Sequence, residues 1–446
     1  MGGRFPSPRL RMALVLYRAL WWLGLPAVLV YLWRRTRRDP DYGRHLRERF
    51  GLYPDWPGEA PVWIHAVSLG ELRSATPLIR ALLTRGERVL LTHFTPAGRR
   101  ESARLFGDEI RAGQVRPVWV PLELGPAMRR FIRHFAPRYG LVMEIEVWPV
   151  MIMECRRAGL PLFMCNAQYP SKSYERDLHR TKLRAELMRG FAGALVKSEL
   201  QRERFATAGV TNIAITGETR FDQPVPPAQI AAAAAARPAF GAGRRVITIA
   251  SAVNGEDPLY LSAIRQTREN HARAGLPMPL FVYVPRAPER FDEVAGMIAT
   301  AGLGVLRRSK VFDRDLTATG PLGDTDILLG DSLGEMYFYL ALADLVIVGG
   351  GYRAAGAHNI IEPLALKKPV IVGPSTWTIE FPAVEAVAAG VCRIVPPDAL
   401  ADALAPDAAL PDAATIDAFF DAHRGAAKRT LAAIPQLIGT CRGDQV

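Results

Sequence analysis

Glu71 is the first residue of this chain that invites a chemical reading. It follows an apolar run, 61–67 (PVWIHAV), and the turn Ser68-Leu69-Gly70, and it opens a segment, 72–83, whose apolar residues have helical spacing. A carboxylate at the head of a helix, directly after a buried parallel strand, lies at the sheet's carboxyl edge, where open α/β folds bind ligands. The same placement also complements the helix dipole, worth about 0.3–1 kcal/mol, so position alone does not separate a base from a cap. Glu144 and Glu146 follow the run 140–143. The segment is expected to be extended, with one of the two facing a ligand and the other making a local bond.

The stretch 326–374 carries a second kind of chemistry. Three apolar runs, 327–329, 345–348 and 369–372, are long enough for buried strands, and turns or helix-like segments follow them. After the middle run come Gly349-Gly350-Gly351, then Gly356-Ala357-His358-Asn359, then a helix-like segment ending near Lys368. A glycine-rich turn entering a helix brings bare amides and a positive dipole end toward an anion. Glu362 stands where it can accept bonds from a ribose diol. Pro285-Arg286 ends the run 280–284, where a guanidinium can clamp a phosphate or a base. The segment Asp331-Ser332-Leu333-Gly334-Glu335 is placed similarly after 327–329. Asp324-Thr325-Asp326 has the form of a metal-binding DxD but precedes its strand, the wrong edge for a ligand.

The elements that must hold these residues come next. Strand-like runs at 89–93, 118–120, 161–166, 194–197 and 246–250 join those above, alternating with helical segments, which is the pattern of doubly wound layers. The stretch 217–245 holds Pro224, Pro226, Pro227, an alanine run and Pro238, and reads as a boundary. The expected organisation is an anchor and basic segment over 1–50, a Rossmann-like domain over 51–222, a linker over 223–245, and a second domain over 246–446. An alanine-rich amphipathic tail at 414–438 is expected to cross both domains. No GxGxxG follows the first strand, which argues against a dinucleotide-dependent oxidoreductase.

Charge is uneven. The 446 residues carry a net charge of +12, and eleven arginines precede Phe50 against Asp39, Asp41 and Glu48. No aromatic-interleaved basic motif, zinc spacing or helix-turn-helix pattern accompanies them, so a membrane surface is expected and nucleic acid is not. Cys155, Cys165, Cys392 and Cys441 show no metal-like spacing and read as buried thiols in a reducing compartment. The run 12–33 is apolar, with Trp21, Trp22, Tyr31 and Trp33 as candidate interfacial aromatics, and Arg34, Arg35, Arg37 and Arg38 follow it. Arg18 interrupts the run, and an arginine at mid-bilayer costs about 2.5–3.5 kcal/mol. No small-residue cleavage site follows, which disfavours a secretory signal. The expectation is a helix kinked at Pro26 and lying in one leaflet, each basic residue of its flanks adding about 1 kcal/mol near anionic lipid.

Eight ordered motifs reach a family. They are His65-Ala66-Val67-Ser68-Leu69-Gly70-Glu71, Thr95-Pro96-x-Gly98, Met143-Glu144-x-Glu146-x-Trp148-Pro149, and Gly217-x-x-Arg220-Phe221-Asp222. Then follow Pro285-Arg286-x-Pro288-Glu289-Arg290-Phe291, Gly330-Asp331-x-x-Gly334-Glu335, His358-Asn359-x-x-Glu362, and Gly373-Pro374. From about Tyr17 to Ile438 the chain resembles the 3-deoxy-D-manno-octulosonic acid (Kdo) transferases of lipopolysaccharide synthesis. The resemblance implies an α/β GT-B fold, two Rossmann-like doubly wound domains facing a central cleft, with an N-terminal membrane-anchor helix. It also implies an inverting glycosyltransferase that moves Kdo from CMP-Kdo to a lipid A precursor (lipid IVA), without a metal or other cofactor, at the cytoplasmic face of the inner membrane.

On the family pattern Glu71 is the proton acceptor, and Glu144 and Arg220 stabilise the transition state. Pro285, Arg286, Leu333, Gly334, Glu335, Asn359, Ile360, Ile361 and Glu362 hold CMP. Some positions depart from that pattern. Arg220 stands for the usual lysine, Ala287 for a histidine and Gln168 for an arginine. Ser251-Ala252-Val253-Asn254 replaces a Ser-Thr-His turn, and Tyr352-Arg353 and Ala357 alter the glycine loop. These leave open a GT-B paralogue with another nucleotide sugar or acceptor, such as a UDP-sugar transferase or an epimerase.

Overall fold

A computed structural model describes residues 5–179, 182–241, 243–320 and 322–443. Residues 1–4 and 444–446, which the expected first and last segments include, and the Cys441 side chain lie outside the described residues. The chain divides into two compact units, 1–223 with 424–446, and 224–423.

In the first unit seven strands form one parallel sheet: β1 Val62–His65, β2 Val89–His93, β3 Val115–Trp119, β4 Tyr139–Met143, β5 Leu162–Ala167, β6 Gly193–Val196 and β7 Ile213–Ile215. Their order is β3-β2-β1-β4-β5-β6-β7, so chain direction across the sheet reverses between β1 and β4. Both faces are covered. Ile64 and Leu91 pack with Leu72, Leu78 and Leu82 of the helix Leu69–Thr84, while Trp63 turns the other way onto Met128 and Phe131 of Gly125–Phe135. That is the period of two expected of strands buried on both sides.

The second unit repeats the plan with β8 Val246–Ala252, β9 Leu280–Pro285, β10 Val305–Arg307, β11 Ile327–Leu329, β12 Leu345–Val348, β13 Val370–Val372 and β14 Cys392–Ile394, in the order β10-β11-β9-β8-β12-β13-β14. The expected doubly wound layers are present. Strands β7, β10 and β14 carry no sequence signal because each is a three-residue edge strand without a continuous buried run. Strand β3 starts earlier than 118 and contains Pro117, which an edge strand tolerates.

The stretch expected as a linker contains the helix Pro227–Ala236, whose Ala233 and Ala236, with Phe240, pack against Phe338 and Leu342. Alanine supplies both high helix propensity and a flat contact. The tail is two helices. Ala413–His423 belongs to the second unit, and Ala426–Gly443 returns to the first, where Ala427, Leu431, Ile434 and Leu437 join the Ile64 cluster. Asp222, from the Arg220 motif, caps that last helix by accepting from Gly425 N at 2.6 Å and Ala427 N at 2.7 Å. Cys155, Cys165 and Cys392 are buried free thiols.

The N-terminal helix runs Pro8–Arg38, longer than the apolar run, because Ser7 caps it and Arg35, Arg37 and Arg38 suit its last turn. Leu10 and Leu14 enter the first unit's core, and Trp21, Leu25 and Val28 rest on Leu122 and Leu124. Arg18 pairs with buried Glu154 at 3.6 Å, which accounts for a charge inside the run. The other face exposes Met12, Leu16, Leu20 and Leu23, with Trp22 and Trp33.

Candidate active site

At the carboxyl end of β1, Ser68 caps the helix Leu69–Thr84 and Glu71 closes a capping box. Ser68 Oγ accepts from Glu71 N at 3.3 Å, and Glu71 Oε2 accepts from Val67 N at 2.5 Å and Ser68 N at 3.4 Å. The capping role and a chemical role therefore coexist in one side chain. Oε2 is committed to amides, and Oε1 makes no hydrogen bond among the described residues. Burial pushes the Glu71 carboxyl up to about 8, and the charges of Glu146 and Glu144 add to the shift against the pull of the two amides. A carboxylate so placed is a stronger base than an exposed one.

Glu144 leaves β4 with φ 59°, so the segment turns there, unlike the extended backbone expected. Glu144 Oε1 accepts from Arg220 NH2 at 2.9 Å and from Ser74 Oγ at 3.4 Å, one turn along the helix from Gly70. Glu146 accepts from Trp148 Nε1 at 2.8 Å, the local bond anticipated for one of the pair, yet its charge still reaches Glu71. β1 and β4 are neighbours at the sheet's switch point, and Arg220 reaches Glu144 from the turn after β7, so Glu71, Glu144 and Arg220 lie together.

Arg220 is held by a residue the sequence reading passed over. Glu218, fully buried, accepts from Arg220 N at 3.2 Å, Asn166 Nδ2 at 2.8 Å and Lys197 Nζ at 2.6 Å. Burial opposes its ionisation, but Lys197 and Arg220 together hold it below the usual carboxylate range. Its only sequence signal was a place beside Arg220. Glu123 was also missed. It caps the helix Pro149–Arg157 through Val150 N and Met151 N at 2.8 and 3.0 Å, directly after the Glu144 motif, and burial pushes its carboxyl up to about 7.

In the second unit the glycine loop differs from the expectation of bare amides facing an anion. Glu256, 1% exposed, accepts from Gly350 N at 2.9 Å, Tyr352 N at 3.0 Å and Val253 N at 3.1 Å. The protein's own carboxylate thus occupies the place proposed for a phosphate. Gly349 and Gly351 are required by close backbone approach, since a Cβ would collide with the Ser251 carbonyl or with Gly373. Glu256 repeats the Glu71 pattern, strand, turn and acid at a helix head, and that repetition was the available signal.

The remaining residues gather at the carboxyl edge of this second sheet. Pro285 ends β9 buried, and Arg286 emerges exposed, its N–H on Ala252 O at 2.9 Å. His358 lies close by. Burial lowers its imidazole to about 4, and the Arg286 charge lowers it further. Asn359 Oδ1 accepts from Ile361 N at 3.0 Å to start a helix of five residues, Ile361–Ala365, shorter than the segment to Lys368 because Lys367 turns at φ 58°. Ile360 and Ile361 are buried in the core. Glu362 is half-buried near Tyr337, whose phenol is kept protonated by burial and, secondarily, by the Glu362 charge.

After β11, Leu333 is 72% exposed and Gly334 turns at φ 83°. Glu335 is engaged by Arg308 NH2 at 2.6 Å and by Ser332, and Asp331 by Arg307 Nε at 2.7 Å. Both acids therefore pin the loop. Asp326 of the DxD pairs with Arg268 and caps Gly304 N at 2.7 Å, a structural use.

Residues 44–223 match the family model of 3-deoxy-D-manno-octulosonic-acid transferase (kdotransferase). A 3-deoxy-D-manno-octulosonic acid transferase of Bordetella pertussis is 39% identical over 427 residues, 93% of this chain and 97% of the relative. One from Haemophilus influenzae is 30% identical over 397 residues, 87% and 88% of the two chains. Among solved structures, a glycosyltransferase of Rickettsia africae superposes with a TM-score of 0.56 at 10% identity, covering 86% of this chain and 99% of that one. The last likeness concerns the fold, which is GT-B.

Proposed function

The chain belongs to the Kdo transferase family, and on that footing we propose that it transfers Kdo from CMP-Kdo to a lipid A precursor with inversion. The observation that carries the reading is Glu71 itself. Its Oε2 is fixed by two amides, its Oε1 is unbonded among the described residues, and burial with two neighbouring carboxylates raises its basicity.

The acceptor hydroxyl gives its proton to Glu71 Oε1 while its oxygen forms a bond to the anomeric carbon. The bond from that carbon to the phosphate oxygen breaks on the opposite face, and CMP leaves with the electron pair. Arg220, paired with Glu144, offers positive charge to the developing anion. Arg286, the exposed loop at Leu333-Gly334 and the Asn359–Glu362 backbone would hold CMP. Since CMP departs as a phosphate monoester, arginine and loop amides suffice for its charge.

The test is a product mass after incubation with CMP-Kdo and a tetra-acylated lipid A precursor. Addition of a Kdo unit is expected, together with thermal stabilisation by CMP. Stabilisation by UDP instead, without Kdo addition, would assign the chain to another GT-B reaction.

The long apolar N-terminal helix supports a membrane location for this chemistry. Because Arg18 is bound to Glu154 and Tyr17 donates to Glu123 at 3.3 Å, the helix lies along the first unit and offers one apolar face, which suits a helix lying in the cytoplasmic leaflet. Replacing Leu20→Glu together with Leu23→Glu puts two charges on that face. The variant is expected mainly in the soluble fraction after lysis, with its melting temperature unchanged. Retention in membranes would exclude this face as the anchor.

A further inference from the structure

A cavity of about 180 Å³ opens between the end of the N-terminal helix and the start of the helix Pro96–Leu105. Three guanidiniums line it, from Arg35, Arg38 and Arg100, against the single carboxylate of Asp39. Arg100 is compensated: its NH1 donates to Asp39 at 3.1 Å and to Asp41 Oδ2 at 2.7 Å. Arg35 lies over the Tyr42 and Tyr31 rings at 4.9 and 5.7 Å, its Nη2 donates to the Tyr42 hydroxyl at 2.8 Å, and its Nε makes no hydrogen bond among the described residues. Arg38 is exposed and forms no ion pair among the described residues. The helix C-terminus favours basic residues in general, but that preference does not by itself require a cavity.

The cavity is also close to the proposed base. Thr95, in its wall, donates Oγ1 to Val67 O at 3.3 Å, and Val67 N is the amide that Glu71 holds at 2.5 Å. The space is too small for a nucleotide or an acyl chain and ample for one phosphate group, whose oxygens match forked guanidinium donors.

We propose that this cavity is an anion subsite that takes a phosphate monoester on the acceptor and so steers the neighbouring sugar hydroxyl onto Glu71. The inference rests on the transferase reading above. A phospholipid headgroup offers the same chemistry from the leaflet, and the arms of the test separate the two.

The full-length protein in neutral detergent, without donor, is titrated with a soluble diglucosamine phosphate and with the same disaccharide lacking phosphate. The phosphorylated sugar is expected to bind at least tenfold more tightly. Arg38→Glu is expected to erase that difference while CMP affinity and melting temperature stay as in the wild type. Equal binding of the two sugars by the wild type, or a phosphate preference that survives Arg38→Glu, overturns the subsite. So does an Arg38→Glu protein that keeps the sugar preference but no longer binds phosphatidylglycerol vesicles, which would assign the arginine to the leaflet. These titrations need no turnover. Phosphate discrimination without Kdo transfer sinks the transferase reading and keeps the subsite, whereas transfer without discrimination does the reverse.

Discussion

Glu71→Gln is expected to lower kcat for Kdo transfer by about 10²–10⁴-fold, the usual contribution of a positioned general base, with CMP affinity unchanged. Glutamine is the informative replacement because its carbonyl oxygen can still accept from Val67 and Ser68, so the helix cap survives. Stability should not fall, and the sign can be worked out. The folded-state pKa of about 8 lies above the ordinary 4.5. The folded chain therefore binds this proton more tightly than the unfolded one. The resulting stabilisation is complete below the ordinary value and is lost as pH rises through about 8. Glutamine removes that loss, so the variant is expected to melt at or above the wild-type temperature near pH 8 while being nearly inactive. In the wild type, kcat/KM should climb with pH through the same region, as a base that must be ionised requires, and the climb should vanish in the variant. Activity within tenfold of wild type would refute the base assignment.

The second large effect belongs to Glu256. Its carboxylate accepts from Gly350, Tyr352 and Val253, and alanine would leave those amides buried without acceptors. An unsatisfied buried donor costs about 1–3 kcal/mol, so Glu256→Ala should destabilise the second unit by several kcal/mol. For a domain of this size that lowers the melting temperature by about 10 °C. CMP affinity should fall at least tenfold, because the loop that carries His358 and Asn359 is hung from those bonds and from His358 N on Gly349 O at 3.0 Å. Glu256→Gln should lie between, since one amide oxygen replaces two acceptors and its NH2 faces an N–H. Calorimetry with CMP titration checks both quantities. Wild-type CMP affinity in the alanine variant would show that the loop does not form the nucleotide site.

Much of the scaffold was legible because parallel strands buried on both faces leave uninterrupted apolar runs, as at Ile327–Leu329 and Leu345–Val348. Edge strands such as Val305–Arg307 were not, being half-covered and short. The final helix was visible as an amphipathic tail, but its apolar stripe fits any apolar groove, and only the packing of Leu431 and Ile434 beside Ile64 assigns it to the first unit.

In the candidate site the sequence determined which groups stand at strand ends, since a turn after a buried run must emerge at the sheet's carboxyl edge. That reasoning placed Glu71, Glu144, Arg286 and Asn359. Tertiary structure decided what those groups can do. Glu71 owes its raised basicity to burial and to Glu144 and Glu146, residues more than seventy positions away along the chain. The glycine loop spends its amides on Glu256 because the chain ends of β8 and β12 are neighbours in the sheet, a pairing that no local spacing encodes. Arg18, a defect in an apolar run when read alone, becomes an anchor once Glu154 is beneath it. Local sequence fixes backbone direction and exposure, whereas charge, hydrogen-bond supply and desolvation depend on whatever the fold brings within a few ångströms.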